Sequence, residues 1–163
     1  VLGLTMGMQP IVGYNFGAQK IDRVKQTLRL GIISGVVITS SGFVICEFFP
    51  HAVSALFTDS DELIDLAVGG IRLTVLMFPF VGAQIVIGNF FQSIGKAKIS
   101  IFLSLTRQLL YLLPCLLLFP NWWGLEGIWI SMPVSDALAF ITAVVSLMIY
   151  IKKVSKLHPV VAE

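Results

Sequence analysis

The sequence predicts an all-α fold, a polytopic bundle of transmembrane helices. Of its 163 residues, 56% are apolar and only 12% are charged, whereas a typical soluble domain carries about 25% charged residues. Mean hydropathy is +0.92. The apolar residues fall into long runs separated by short polar segments, and a helix needs about 20 mostly apolar residues to cross a bilayer. Because too few charges remain to cover the surface of a soluble globule, lipid is the expected solvent.

The apolar runs predict four complete spans, preceded by part of another. The complete spans are residues 30–49, 71–92, 99–119 and 127–151. Residues 1–16 are also apolar but are too few to cross a bilayer alone. We therefore expect them to be the end of a truncated helix.

Short polar segments connect these runs. Residues 17–29 are basic and are expected to form a connection on the cytoplasmic membrane surface. Residues 50–70 are expected to form an outer acidic loop and the start of a helix near Asp59, which Thr58 could cap. The other connections are a cytoplasmic turn at 93–98, an outer turn at 120–126 and a cytoplasmic tail at 152–163.

The distribution of basic residues predicts the orientation of the chain. Cytoplasmic segments of membrane proteins collect Lys and Arg. Nine of the eleven basic residues fall in the first connection, the third connection and the tail: Lys20, Arg23, Lys25, Arg29, Lys96, Lys98, Lys152, Lys153 and Lys156. The second and fourth connections have none, so four alternating spans place all nine charges, and the C-terminus, in the cytoplasm. Trp122 and Trp123 then lie at the outer interface, where such rings are favoured.

Two ionisable residues lie deep inside predicted spans. Arg107 follows Lys98 by nine residues, so it is about 13 Å deep at 1.5 Å per residue. It should face the bundle interior or a wet cavity, with Gln108 and Tyr111 nearby. Asp136 lies near the middle of the last span and could bind a proton or a cation, pair with Arg107, or have a structural role. Arg72 is expected to extend outward to the interface instead.

Amides and prolines also mark the spans. Gln84, Asn89 and Gln92 share roughly one helix face, where either hydrogen bonding between helices or a polar cavity wall would explain them. Helix kinks are expected at Pro79, Pro114 and Pro133. Prolines in nearly every span are typical of helices that bend around a cavity. The substrate-cavity or gating candidates are therefore Gln84, Asn89, Gln92, Arg107, Gln108, Tyr111 and Asp136.

The sequence lacks the usual marks of an enzyme. It has no phosphate-binding loop, no cluster with metal-ligand spacing and no pairing of a nucleophile with a base, and its two histidines lie in polar connections. No channel-filter motif is present. We therefore expect no enzymatic activity, no cofactor, no metal site and no nucleic-acid partner. A secondary transporter fits the polar sites, prolines and short connections best.

Several motifs resemble those of one transporter family. Residues 7–18 (GMQPIVGYNFGA), followed by Arg23 and Val24, resemble the end of the eighth helix of multidrug and toxic compound extrusion (MATE) transporters. Residues 91–97 (FQSIGKA) are similar to the family's turn between helices ten and eleven. Residues 127–129 (GIW), with Pro133 and Asp136, are similar to the start of its twelfth helix. The likeness covers nearly the whole chain and is strongest to the MepA-like branch.

This resemblance implies a twelve-helix transporter made of two six-helix lobes related by a pseudo-twofold axis. The chain would be part of the C-terminal lobe of a multi-pass protein of the bacterial cytoplasmic (inner) membrane. Its partners would be the lipid bilayer, the missing N-terminal lobe and cationic, drug-like small molecules. These amphipathic compounds would be exported by alternating access, driven by inward Na⁺ or H⁺.

One feature departs from the family pattern. Some branches carry an essential acid in the tenth helix, but the matching residues 71–92 contain no Asp or Glu. The main coupling-ion site would then lie in the N-terminal lobe, with Asp136 as a secondary candidate. Two alternatives stay open: a lipid or lipid-linked saccharide flippase of the same superfamily, and a structural or assembly subunit of the membrane.

Overall fold

Helices make up nearly all of the fold. A computed structural model describes residues 1–157, and within them the helices are α1 (Leu2–Gly17), α2 (Ile21–Phe48), α3 (Pro50–Ala55), α4 (Asp61–Val75), α5 (Phe78–Ser93), α6 (Ala97–Leu105), α7 (Leu113–Leu118) and α8 (Pro120–Leu157). A π-helical stretch, the π segment (Thr106–Leu112), joins α6 to α7. The predicted all-α bundle is confirmed. The end of the predicted tail, residues 158–163, lies outside the described residues.

Within residues 1–157, three helical stretches are long and apolar enough to cross a bilayer. They are Ile21–Phe48, Ala97–Leu118 and Pro120–Val154. A fourth span is formed only if α4 and α5 are taken together, because these two helices meet at a bend of 49°. The span expected at 71–92 is therefore a broken one. The break falls just before Pro79, whose ring fixes its own φ and cannot continue a preceding helix without a clash.

The basic connection expected at 17–29 is mostly helical. Only a short link separates α1 from Ile21, where α2 begins, so Arg23, Lys25 and Arg29 lie on the first turns of a continuous helix. The stretch after Lys20 contains no Gly or Pro that would stop a helix before Gly31. With 28 residues, α2 is about 42 Å long, which exceeds the hydrocarbon thickness of about 30 Å. The basic end of α2 can therefore extend beyond the lipid.

Other boundaries also differ from those expected. The acidic loop at 50–70 contains the short helix α3, and α4 begins at Asp61 with Ser60 at its N-cap position, so Thr58 does not cap it. The Thr58 hydroxyl instead accepts a hydrogen bond from the Ser60 N–H at 3.3 Å. The turn expected at 120–126 is largely helical and has its break at Gly124.

The break in α8 lies at Gly124 and not at Pro133. Gly124 has φ 56° and ψ −132°, and it alone within α8 departs from helical angles. Glycine adopts such a conformation without steric cost, whereas proline cannot reach a positive φ. Pro133 is buried, and the helix continues through it. The proline that was expected to kink the helix therefore does not interrupt it.

Two short turns next to lysines, the basic turns around Gln19 and Gly95, share one geometry. Gln19 (φ 57°) and Gly95 (φ 75°) both adopt the left-handed conformation. The next residue in each turn is a lysine, whose N–H donates to a carbonyl five residues back, at 2.9 Å from Lys20 to Asn15 and 2.8 Å from Lys96 to Phe91. Each turn thus reverses the chain in a few residues and leaves a lysine at the start of the next helix.

Helix α5 lies at the centre of the bundle, in contact with α1, α2, α6 and α8. Its closest approach is to α2, where Gly82 packs directly on the backbone carbonyl of Gly35, and a Cβ atom on Gly82 would collide with that oxygen. The buried core surrounds the half of α5 nearer the basic turns: Met8, Val12, Val24, Leu28, Val86, Ile87, Phe90, Phe91, Ile94, Leu103, Ala143 and Leu147. Edge-to-face contacts of Tyr150 with Phe90 and Phe91 join α8 to this core.

Candidate functional site: a polar cavity between α5 and the π segment

A cavity of about 320 Å³ lies between α5 and the helix formed by α6 and the π segment. Five of the predicted candidates line it: Gln84, Asn89, Gln92, Arg107 and Gln108. The first three come from one face of α5, as their spacing predicted. The other lining residues are Ile85, Gly88, Ser100, Leu103 and Ser104. The structure thus brings the amides and the deep arginine to one partly open cavity.

Arg107 and Asp136 form an ion pair beside this cavity. The arginine Nε and Nη2 atoms each lie 2.8 Å from the same carboxylate oxygen, Oδ1 of Asp136. Both atoms of the guanidinium edge therefore bind one acceptor. Among the alternatives for Asp136, the structure has pairing with Arg107, which joins the π segment to α8.

Tyr111 lies outside the cavity and makes a second bond from the π segment to α8. Its hydroxyl is 2.8 Å from Oγ1 of Thr142. Since the Thr142 hydroxyl lies 2.9 Å from the Leu138 carbonyl, to which it donates, the Tyr111 hydroxyl acts as the donor in this pair. The π segment is therefore attached to α8 at both of its ends, by Arg107 and by Tyr111.

The π segment itself was not predicted. A π-helix has hydrogen bonds from residue i to i+5, which widen the turn, and such turns are frequent at functional sites. It ends where α7 begins, with Pro114 in the first turn of α7. Proline has no backbone N–H to donate to the preceding turn, which is the one signal in the sequence for irregular helix here. Thr142 and Ser104 were missed because hydroxyl groups are common in transmembrane helices.

Several polar atoms around the cavity have no bonding partner within the described part of the chain. Oε1 of Gln84 and Oγ1 of Thr106 are buried and make no hydrogen bond. The Asn89 amide nitrogen donates to the Ile85 carbonyl at 3.0 Å, within its own helix. Gly88 faces open space, since nothing lies within 4 Å of where its Cβ would be. The two unpaired atoms are themselves buried, and Thr106 does not line the cavity, so neither atom is exposed on the cavity wall.

Arg72 has a different environment from Arg107. Its Nε lies 3.9 Å from Oε1 of Glu47, and both side chains are substantially exposed. Arg72 is in the last turn of α4, close to the break before α5. It therefore faces a carboxylate of α2 as well as the surface.

Comparison with known proteins identifies the family. A model of the MatE family matches residues 1–117 of the 163. The chain belongs to this family. The MatE match covers α1 to α6, the π segment and most of α7, and it agrees with the family resemblance found in the motifs. The chain is accordingly a multi-pass membrane protein of a transporter family.

Individual MatE proteins extend the comparison. The chain is similar to the multidrug export protein MepA of Staphylococcus haemolyticus, with 22% identity over 136 residues, which cover 83% of this chain and 30% of MepA. MepA of Staphylococcus aureus (strain MSSA476) is 24% identical over 147 residues. The structure of the MATE multidrug transporter DinF-BH matches with a TM-score of 0.85 and 38% identity, over 90% of this chain and 33% of that one. The chain thus spans about a third of the length of these relatives.

Proposed function

We propose that this chain forms part of a secondary active multidrug efflux transporter that exports cationic amphipathic compounds by alternating access. The observation that carries the proposal is a polar cavity between membrane-spanning helices that are broken or irregular, namely α4–α5 and α6–π segment–α7. Irregular backbone at membrane depth occurs where it is buried in protein or lines a water-filled space. Similarity to MepA and DinF-BH, both named as multidrug transporters, supports the same function.

The proposal includes a location and an orientation. We place the protein in the bacterial cytoplasmic (inner) membrane, with both basic turns and the end of α8 in the cytoplasm. The positive-inside distribution of Lys and Arg supports this orientation. The drug-like compounds would contact the cavity wall and gating surfaces of this chain, with no nucleic acid or enzymatic step involved.

Coupling to inward Na⁺ or H⁺ is also part of the proposal. The broken span contains acids only in the first turns of α4, at Asp61, Glu62 and Asp65, and none from Ile71 onward. Asp136 is already paired with Arg107. Both observations favour a main coupling site in an N-terminal lobe outside this chain.

Dye accumulation in bacterial cells tests the proposal. The full-length gene product is expressed in a strain without its own efflux pumps, and accumulation of ethidium and of a cationic rhodamine dye is followed by fluorescence. We expect lower accumulation than in cells with an empty vector, restored by a protonophore if H⁺ drives export or by Na⁺ removal if Na⁺ does. Unchanged accumulation of several cationic dyes, with membrane insertion verified, would refute the proposal. Translocation of a fluorescent glycolipid in vesicles would then point to the flippase alternative.

A further inference from the structure

A second cavity, of about 600 Å³, lies at the end of the bundle that carries the basic turns, where α1 ends, α6 begins and α8 makes its last turns. It shares no lining residue with the polar cavity between α5 and the π segment. Most of its wall is apolar, and the side chains that form it include Phe16, Ile99, Phe102, Ile149 and Tyr150. Ligand pockets measure about 300–1,000 Å³, so this cavity is large enough for part of an apolar ligand.

The inner wall of this second cavity is fixed by the core of the bundle, whereas its outer wall is exposed. Phe16, Ile99 and Tyr150 are partly buried and pack against the core, and the Tyr150 ring makes edge-to-face contacts with two core rings of α5. Phe102 and Ile149, on the outer side, are 52% and 63% exposed. The cavity therefore has a formed inner surface and opens towards the surroundings of the helices, which in a membrane protein are lipid.

Two lysines from different elements line the same cavity. Lys96 is at the N-cap position of α6, Lys153 is near the end of α8, and both are exposed. No Asp or Glu of the described residues lines the cavity, and neither lysine forms an ion pair with a carboxylate of that part of the chain. Asp22 lines a smaller neighbouring cavity, together with Lys25. The charged part of the second cavity is therefore positive.

The cations and the apolar wall lie at different depths along the helices. Phe102 follows Lys96 by six residues, which is about 9 Å along a helix. Ser146, which also lines the cavity, precedes Lys153 by seven residues, or about 10 Å. Because lysines at the ends of spans lie at the membrane surface, the apolar wall extends from them towards the hydrocarbon. A phospholipid has the same order, with a charged head group outside and acyl chains inside.

We propose that this second cavity is a binding site for one anionic phospholipid. The ammonium groups of Lys96 and Lys153 bind the phosphate, and an acyl chain lies along Phe102 and Ile149. Basic pockets between transmembrane helices bind the head groups of anionic lipids in other membrane proteins. The apolar wall favours a lipid over a free anion, because a free anion has no apolar surface to bury there. The site is separate from the polar cavity and does not depend on which compounds are exported.

Counting of bound lipids tests this site. The full-length protein in detergent is mixed with equal amounts of phosphatidylglycerol and phosphatidylcholine with the same acyl chains, and native mass spectrometry counts the lipids that stay bound. We expect one phosphatidylglycerol to be retained about tenfold or more over phosphatidylcholine, since each lysine near an anionic head group contributes about fivefold. Excess inorganic phosphate should not displace it. Displacement by phosphate would mean a site for free anions, and no preference would mean that another segment of the full-length protein covers the cavity; either result would overturn the proposal.

Two pairs of lysines separate this site from a general attraction to basic surface. Lys96→Gln with Lys153→Gln removes the two cations that line the cavity. Lys98→Gln with Lys152→Gln is the matched control, because these exposed lysines lie in the same two parts of the chain but do not line the cavity. The first pair should abolish the preference for phosphatidylglycerol, and the second should leave most of it. Equal losses in the two pairs would overturn the site.

Ser146→Phe tests the apolar wall while both lysines stay in place. The larger side chain fills part of the cavity and should lower retention of phosphatidylglycerol several-fold. Met148→Phe is its matched control, since Met148 is exposed on the same helix and does not line the cavity. Unchanged retention in a folded Ser146→Phe variant would contradict the placement of the acyl chain in the cavity. Dye export is a separate readout, so failure of the lipid site is distinguishable from failure of the transporter proposal.

Discussion

Two arginine–carboxylate pairs in the described part of the bundle differ in nearly every physical respect. Arg107 and Asp136 meet at 2.8 Å between the π segment and α8, with the carboxylate buried. Arg72 and Glu47 approach only to 3.9 Å between α4 and α2, and their side chains are 53% and 35% exposed. Buried pairs are costly to break because one charge is left uncompensated, whereas exposed pairs contribute little. The same two chemical groups therefore have different roles in the middle of the bundle and at its surface.

Breaking the buried pair should have the largest effect. Arg107→Leu leaves the Asp136 carboxylate alone inside the bundle, and we expect a loss of about 3–5 kcal/mol in the free energy of unfolding. Arg72→Leu is the matched control and should cost less than about 1 kcal/mol. Unfolding of the full-length protein in mixed micelles measures both. Equal losses in the two variants would contradict the distinction drawn between the pairs.

The glycine contact between α2 and α5 extends the comparison to packing. Gly82→Ala places a methyl group against the Gly35 carbonyl, a backbone atom that cannot turn away, and overpacking of this kind costs about 1–3 kcal/mol. Gly88→Ala, six residues along the same helix, adds its methyl group to open space. The same unfolding measurement should show little change for Gly88→Ala, and a loss as large as that of Gly82→Ala would mean that the cavity is filled.

Removal of the second bond between the π segment and α8 should have a smaller effect. Tyr111→Phe deletes the hydroxyl that lies 2.8 Å from Thr142. Hydrogen bonds between membrane helices contribute about 0.6 kcal/mol on average, and we expect a loss of that size. Measured in the Arg107→Leu background, the loss should change if the two bonds hold the π segment jointly. Strictly additive losses would show that they act independently.

The smallest effect is expected at the surface pair. Glu47→Gln should alter stability by less than about 0.5 kcal/mol, and that difference should disappear at high salt, because exposed charges are screened. Stability measurements at about 0.05 M and 1 M NaCl test this. A loss that did not depend on salt would mean that the pair is shielded from solvent in the full-length protein, although its side chains are 53% and 35% exposed in this chain.

The sequence predicted the bundle well because hydropathy acts over whole helices. It also predicted that Gln84, Asn89 and Gln92 share a face, since helical periodicity fixes the relative directions of side chains on α5. A kink was expected at Pro79, next to the break between α4 and α5, but the size of that break and the glycine break in α8 were not predicted. Both depend on how neighbouring helices pack, and the apolar residues that surround them have the same hydropathy in a straight helix and in a bent one.

The ion pair shows where this kind of prediction ends. Depth in the membrane singled out Arg107 and Asp136, yet pairing was one alternative among several because sequence gives no distance between residues on different helices. The inequality of their exposure, 33% against 8% of the side chain, was out of reach for the same reason. Thr142 had no polar neighbour in the sequence that would suggest Tyr111 as its partner.

The π segment also constrains how this sequence can vary. A π turn holds one residue more than the α-helical turn that it replaces, so the segment sets the angular register between α6 and α7. If the 7 residues Thr106–Leu112 formed an ordinary α-helix instead, everything beyond them would be rotated by about 100°. The side chains of α7 that now face α8 would then face elsewhere. Deleting one residue from this segment would allow an ordinary α-helix that keeps α7 in its present orientation, so the register tolerates the loss of one residue here but not a conversion of all seven to α-helix.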